Sequence, residues 1–166
     1  MGHLSESSVV AQAGGSMVHC AVNSAKPEEM KEDFLPLTVD YRSRDYSFGV
    51  IPDSTKRRER HGGDDEILVA RFVDRAVRSL FPKGYVQDVQ VLVTSHSADG
   101  IHDPTVLAVN AASLALLNSR QPWFGPVGCV RVGIVDHKLK VNPTVAEMEV
   151  SPLDLLYAGT TSRAVM

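Results

Sequence analysis

Cationic side chains are concentrated in one short stretch of this sequence. Four cations fill four of five consecutive positions: Lys56, Arg57, Arg58 and Arg60. Like charges this close repel one another, and the glycines at 62 and 63 let backbone amides approach a ligand closely. A phosphate-rich partner such as RNA is the economical explanation, so we predict that these four residues bind RNA. An ordinary solvated turn is the alternative.

A second basic cluster follows on a predicted helix. From Ile67 onwards apolar residues recur at helical spacing, and the other side carries Arg71, Arg75 and Arg78 at i, i+4 and i+7. At about 100° per residue these three side chains lie within roughly 60° of one another. Guanidinium groups match phosphate-like oxygens, which predicts an anion site. A solvated face that Asp74 partly neutralises is the alternative, and the residues alone leave both open.

Other chemistries are not indicated by any motif. The sequence holds no Gly-rich phosphate loop, no GxGxxG, no HExxH and no GxSxG. His96, Asp99, His102 and Asp103 lie close together in sequence, but Asp103 precedes Pro104 and is better explained as a helix N-cap. We therefore predict no catalytic residue and no metal site in this chain.

Composition limits the class of protein. The chain has 166 residues, about one domain, with 43% apolar and 22% charged residues, as in an ordinary globular protein. Its net charge is −3, so any affinity for RNA must come from a local patch. Two cysteines favour a reducing compartment over a disulfide scaffold. No apolar run approaches the roughly 20 residues that a membrane-spanning helix needs, so we predict no membrane span.

Alternating strands and helices must position the basic clusters. We predict strands over residues 8–12, 16–22, 35–41, 86–97, 127–135, 138–141 and 153–158. We predict one helix that starts at the acids 64–66 and ends before Pro82, a second over 104–118, and a short helix or turn over 144–150. The second helix is apolar nearly all round, so we expect it to be buried. The alternation without a linker indicates one α/β or α+β unit over residues 8–166, with residues 1–7 disordered or left from cloning.

Several motifs, in order and at the right spacing, resemble the first RNase PH-like domain of the polynucleotide phosphorylase (polyribonucleotide nucleotidyltransferase) family. They are GVIPDSTKRRE, EILVARFVDRAVRSLFPKGY, DPTVLAVNAASLALL, PWFGPVGCVRVG and LDLLYAG. The resemblance implies a mixed sheet with packed helices and a left-handed βαβ crossover, an exception to the usual hand. It also implies a partial domain, incomplete at both ends.

The resemblance implies a function as well. The family degrades RNA from 3′ to 5′ with inorganic phosphate as co-substrate and Mg²⁺, and three subunits close a ring around single-stranded RNA. This implies a homo-oligomer, located in a mitochondrion or other organelle of a eukaryote or in the cytoplasm of a bacterium. The catalytic acids and serines of the family lie in its second RNase PH-like domain. This segment is therefore expected to supply RNA contacts and ring assembly rather than the chemistry, with neither phosphate nor Mg²⁺ bound as its own cofactor.

Individual residues carry part of this resemblance. Arg57 and Arg58 match the arginine pair of the family's channel-mouth loop, where Thr55 and Lys56 replace the usual two aromatic residues. The helical arginines 71, 75 and 78 match those of the first domain's own degenerate site. A stand-alone, non-catalytic RNA-binding or assembly module of the same fold is the alternative, and an unrelated small-anion enzyme is a third hypothesis.

Overall fold

Two β-sheets with a helix between them make up the fold. The computed structural model describes residues 2, 4–25, 34–51 and 63–166. Within these ranges the first four strands are β1 (Ser7–Ala13), β2 (Ser16–Ser24), β3 (Leu37–Ser43) and β4 (Val89–Ser97). The last three strands are β5 (Gly128–Val135), β6 (Lys138–Val141) and β7 (Asp154–Gly159). The helices are α1 (Asp64–Arg78), α2 (Pro104–Leu117) and α3 (Val145–Glu149), and a 3-10 helix (Asp45–Phe48) follows β3.

The first sheet, sheet A, is mixed, as predicted. Its strand order is β1-β2-β4-β3, with β1/β2 and β2/β4 antiparallel and β3/β4 parallel. Strands β1 and β2 form the predicted hairpin, with Ala13 opposite Ser16 across the two glycines. Because β3 and β4 are parallel, the chain must cross over between them, and α1 lies in that connection. These three elements form the βαβ unit that the resemblance implies.

The second sheet, sheet B, is antiparallel with the order β6-β5-β7. The predicted hairpin of β5 and β6 turns at Asp136 and His137, whose φ angles are 50° and 60°. Positive φ at both central residues gives the turn a twist that matches the flanking strands. The short helix predicted after the hairpin is α3, capped by the hydroxyl of Thr144.

Helix α2 joins the two sheets. It packs on β1 and β2 of sheet A and on β5 of sheet B. Its small residues allow this close approach, and four of them are fully buried: Ala108, Ala111, Ala112 and Ala115. The side-chain amide of Asn110 donates to the carbonyl of Cys129 at 3.3 Å and accepts from its N–H at 2.8 Å. The expectation that α2 is buried all round was wrong at its C-terminal end, where Leu114 and Leu117 are nearly half exposed.

Two predicted strands start two or three residues later in the structure, for local reasons. Strand β3 begins at Leu37 rather than at 35, because the Leu37 N–H bonds to the Leu35 carbonyl at 2.9 Å in a tight turn. Strand β4 begins at Val89 rather than at 86, after a turn closed by the Tyr85 N–H and the Pro82 carbonyl. None of the described helices combines the length and the apolarity that a membrane-spanning helix needs.

Candidate functional site

The carboxylate of Glu66 fixes the start of α1. It accepts hydrogen bonds from the Gly63 N–H at 3.1 Å and from the Ser43 N–H at 2.6 Å. The first bond lies at the N-terminus of the helix, where backbone N–H groups have no partner within the helix. The second bond ties α1 to the end of β3. Glu66 therefore sets the position of α1 against sheet A and, with it, the position of the arginines further along the helix.

An open cleft of about 1020 Å³ lies between α1, the end of β3, the start of α2 and β7. Its polar lining includes Arg71, Arg75, Asp65, Asp103 and Thr105. Its apolar lining includes Phe48, Leu68, Phe72 and Leu156. The cleft therefore combines charged groups along one helix with an apolar floor, an arrangement typical of sites for small polar ligands.

Two of the three predicted arginines face this cleft and have no partner among the described residues. Arg71 and Arg75 are exposed and line the cleft together. In the part of the chain that the structure describes, neither makes an ion pair or a side-chain hydrogen bond. They lie four residues apart on α1, hence one above the other on the same face. Two adjacent guanidinium groups with free donors can receive an anion.

The third predicted arginine, Arg78, is turned away from this pair. Its guanidinium donates to both carboxylate oxygens of Asp74, at 2.7 and 2.6 Å. It also donates to the carbonyls of Leu35 at 3.0 Å and Leu37 at 3.1 Å, and it lies 5.3 Å from the centre of the Phe34 ring. These bonds hold the pKa of Arg78 above its ordinary value, with the hydrogen bond to Asp74 as the largest cause. The structure thus brings together two of the three arginines and gives the third a structural partner.

Two of the acids that line the cleft are already engaged. Glu66 accepts the two backbone N–H groups described above. Asp103 caps α2, as predicted, by accepting from the Thr105 N–H at 2.8 Å and from the Thr105 hydroxyl at 2.6 Å. Asp103 also forms an ion pair with Arg131. Because their oxygens are taken up in this way, these two carboxylates compete weakly with an incoming anion for Arg71 and Arg75.

Arg131 is a residue that the sequence analysis missed. Its guanidinium bridges Asp103, at the start of α2, and Asp154, at the start of β7. The bonds to Asp154 are 2.8 and 2.6 Å long, and they hold the pKa of that carboxyl below its ordinary value. The three residues are far apart in sequence and have no characteristic spacing, so no sequence signal could have found them. Arg131 fixes the wall of the cleft that α2 and β7 form.

The predicted RNA-binding residues Lys56, Arg57, Arg58 and Arg60 lie outside the described residues. Gly63, which follows their segment, lines the cleft, and so does Phe48, which precedes it. Among the described residues no group of three or more His, Cys, Asp or Glu is arranged to hold a metal ion. These residues therefore do not fit a Mg²⁺ site, and we assign none to them.

Two models of one protein family match the chain in succession. The model described as "3' exoribonuclease family, domain 1" (RNase PH) matches residues 3–122. The model described as "3' exoribonuclease family, domain 2" matches residues 125–166. The boundary between the two matches falls in the turn between α2 and β5, so the first match covers sheet A with α1 and α2, and the second covers sheet B.

Similar proteins and structures agree with these matches. The rice "Polyribonucleotide nucleotidyltransferase 2, mitochondrial" is 42% identical over 172 residues, which cover 100% of this chain and 18% of the relative. The polyribonucleotide nucleotidyltransferase of Deinococcus radiodurans is 47% identical over 142 residues, which cover 86% of this chain and 18% of the relative. The chain therefore spans about a fifth of the length of the curated relatives it matches.

Solved structures share the fold at lower identity. A chain of the Archaeoglobus fulgidus exosome with RNA bound to the active site has a TM-score of 0.71 at 20% identity, over 99% of this chain and 72% of that chain. Rice Rrp46 has a TM-score of 0.75 at 15% identity, over 98% of this chain and 73% of that chain. These structures show the shared fold. Because the first family model matches more than half of the chain, the chain belongs to the 3′ exoribonuclease family.

Proposed function

We propose that this chain is part of a polyribonucleotide nucleotidyltransferase, an enzyme that shortens RNA from its 3′ end by phosphorolysis. In that protein this segment contacts RNA and takes part in ring assembly, while the chemistry takes place elsewhere. The observation that carries the proposal is the pair Arg71 and Arg75, whose guanidinium groups face one cleft and have no ion pair among the described residues. Their ligand is an oxyanion of the phosphate type, either a phosphate group of RNA or a free anion.

The geometry of α1 supports this ligand class. Side chains at i and i+4 lie about 6 Å apart at their Cβ atoms, and the guanidinium forks of Arg71 and Arg75 can converge on one tetrahedral anion. The N-terminus of α2 also lines the cleft, but Asp103 already accepts the Thr105 N–H there. The backbone of that helix end is therefore capped, and the affinity for the anion comes from the two arginines.

The similar proteins support a proposal for the partners and the location. We propose single-stranded RNA and further copies of the chain, in a ring of three, as the partners of the whole protein. A mitochondrial or other organellar location is proposed for a eukaryotic source, since the rice relative is named mitochondrial. For a bacterial source we propose the cytoplasm.

Thermal unfolding in different salts tests the anion site. Phosphate or sulfate should raise the Tm of the chain above that in chloride of equal ionic strength, and the gain should saturate as RT ln(1 + [L]/Kd). Arg75→Ala and Arg71→Ala should each remove most of the saturating gain. Lys138→Ala, which removes an exposed cation on sheet B, should leave it unchanged. A gain that rises without saturation in all variants would show general salting-out and would refute the site.

A further inference from the structure

Phe48 lines the same cleft as Arg71 and Arg75. Its side chain is 48% exposed, whereas Phe72, which lines the cleft from α1, is buried. A single exposed apolar side chain is common on protein surfaces and needs no explanation. What distinguishes Phe48 is its place in a cleft with two guanidinium groups that have no partner among the described residues.

The backbone around Phe48 is fixed by hydrogen bonds. Phe48 is the last residue of the 3-10 helix that follows β3. The preceding residue, Ser47, is buried, and its hydroxyl donates to the Arg44 carbonyl at 2.6 Å. The Ser47 carbonyl accepts the N–H of Ala98 at 2.9 Å, just after the end of β4. Phe48 is therefore held against sheet A, and a ligand that contacts its ring does not have to order the backbone first.

The ring of Phe48 has no aromatic or cationic partner in the described part of the chain. No other aromatic ring stacks on it there, and no cation lies over it. Phe48 also lines a second cavity, of about 390 Å³, which shares Asp103 and Pro104 with the cleft. Because Phe48 borders both open spaces, a flat ligand group can reach its side chain.

The cleft therefore offers two kinds of contact side by side. The arginine pair binds an oxyanion through N–H donors, and the ring of Phe48 offers a flat π-face. A free inorganic anion uses only the first contact. A nucleotide uses both, since its phosphate suits the guanidinium groups and any nucleobase can stack on an aromatic ring.

We infer that Phe48 stacks on a nucleobase of an RNA strand whose phosphate is bound by Arg71 and Arg75. The inference rests on the proposed function and adds to it the part of the ligand that the arginines do not bind. Phe48 is then the residue that gives the cleft a preference for nucleotides over phosphate alone. Stacking does not read the hydrogen-bonding groups of a base, so we expect little dependence on base identity.

Isothermal titration calorimetry of the full chain with AMP and with ribose 5-phosphate tests the inference. The two probes share the sugar and the phosphate and differ by the base, so AMP should bind more tightly. Phe48→Ala should weaken AMP binding by about 5- to 150-fold, the range for the loss of one stacked base. The same change should leave the binding of ribose 5-phosphate unchanged, which also shows that the variant is folded.

Tyr46→Ala is the matched control. Tyr46 is the other aromatic residue of the same 3-10 helix, is 58% exposed and does not line the cleft, so its removal should change neither affinity. Phe48→Trp gives a second readout, since it should keep the AMP affinity and its fluorescence should be quenched by AMP but not by ribose 5-phosphate. Trp123 is buried and does not line the cleft, so it adds a constant background.

Equal binding of AMP and ribose 5-phosphate by the wild type, or equal effects of Phe48→Ala and Tyr46→Ala, would overturn the inference. The trinucleotide pApApA should bind at least as tightly as AMP. Binding of AMP without binding of pApApA would identify a free nucleotide as the ligand and overturn the assignment to RNA. Without a saturating gain in Tm from phosphate the anion site fails, whereas that gain together with equal AMP and ribose 5-phosphate affinities refutes only the role of Phe48.

Discussion

The guanidinium of Arg78 donates two parallel hydrogen bonds, of 2.7 and 2.6 Å, to the carboxylate of Asp74 one helical turn earlier. The same guanidinium reaches the carbonyls of Leu35 and Leu37, which precede and begin β3. Arg78 therefore joins α1 to the entrance of sheet A. By spacing, Arg78 is equivalent to Arg71 and Arg75. In the structure its hydrogen bonds connect α1 to the start of β3.

Substitution of Arg78 should destabilise the fold. Arg78→Ala removes four hydrogen bonds and takes from the partly buried carboxylate of Asp74 its ion-pair partner, so we expect a loss of about 1–3 kcal/mol in the free energy of unfolding. Arg78→Lys keeps the charge but cannot reproduce the fork, so its loss should be intermediate. Urea unfolding followed by circular dichroism measures both. Arg42→Ala is the control, since among the described residues the Arg42 side chain makes one hydrogen bond, to Asp40. A loss as large as that of Arg78→Ala would contradict the assignment.

Gly125 should not tolerate a side chain. A Cβ at this position would overlap the ring of Trp123, which is buried and donates its indole N–H to the Val77 carbonyl at 3.0 Å. Gly125→Ala should cost at least about 2 kcal/mol, because a packed ring must move to make room. The chain has one tryptophan, so its fluorescence reports both the displacement and the unfolding. Gly128→Ala is the matched control, with nothing within 4 Å of its added Cβ, and its stability should be nearly unchanged.

The ion pair of Arg131 with Asp154 predicts a pH dependence. The hydrogen bonds from Arg131 lower the pKa of Asp154, so the carboxyl stabilises the fold above its unfolded pKa and loses this effect as the pH falls through its folded pKa. The Tm difference between the wild type and Asp154→Asn should therefore be present near neutrality and disappear in the acid range below about pH 4. Asp88→Asn, at an exposed residue, should show little difference at any pH. A Tm difference for Asp154→Asn that stays constant with pH would argue against the pair.

The basic loop should hold RNA through charge. Removing two phosphate contacts with Arg57→Ala and Arg58→Ala should lower the salt slope of binding to single-stranded RNA by about 1.4. Fluorescence anisotropy with a labelled oligoadenylate over a series of salt concentrations measures the slope. Lys83→Ala with Lys138→Ala removes the same charge from two exposed positions and should leave the slope almost unchanged. Equal slopes for wild type and the arginine variant would identify the loop as a solvated turn.

The chain on its own should not degrade RNA by phosphorolysis. The described residues hold no acidic cluster suited to Mg²⁺, and the resemblance puts the reacting groups in another domain. Incubation of the purified chain with polyadenylate, phosphate and Mg²⁺ should release no nucleoside diphosphate above a mock purification. Release above that background would place the chemistry in this segment.

Features that depend on neighbours in sequence were predictable. The Asp103-Pro104 start of α2 and the turn at Asp136 and His137 follow from local chemistry, in which a side chain or a backbone preference acts over two or three residues. The apolar face of α1 also follows from local spacing, and Phe72, Val73, Ala76 and Val77 are buried on it.

Features that depend on distant residues were not predictable. The neighbours of Arg78 at Leu35 and Leu37 lie more than 40 residues away, and nothing in the arginine spacing distinguishes Arg78 from Arg71 or Arg75. The cleft itself exists because β3, α2 and β7 converge on α1.

The contacts of helix α2 limit how the two matched segments could be exchanged between related proteins. It supplies Asn110 to the backbone of Cys129, Ser113 to the N–H of Val127, and Asp103 to Arg131, while its small residues pack on sheet A. The boundary between the two family matches therefore separates segments that share one core. Recombination between two relatives at that boundary would join a helix from one parent to a sheet shaped for another. We expect such hybrids to fold stably only when the two parents carry the same residues at these contacts.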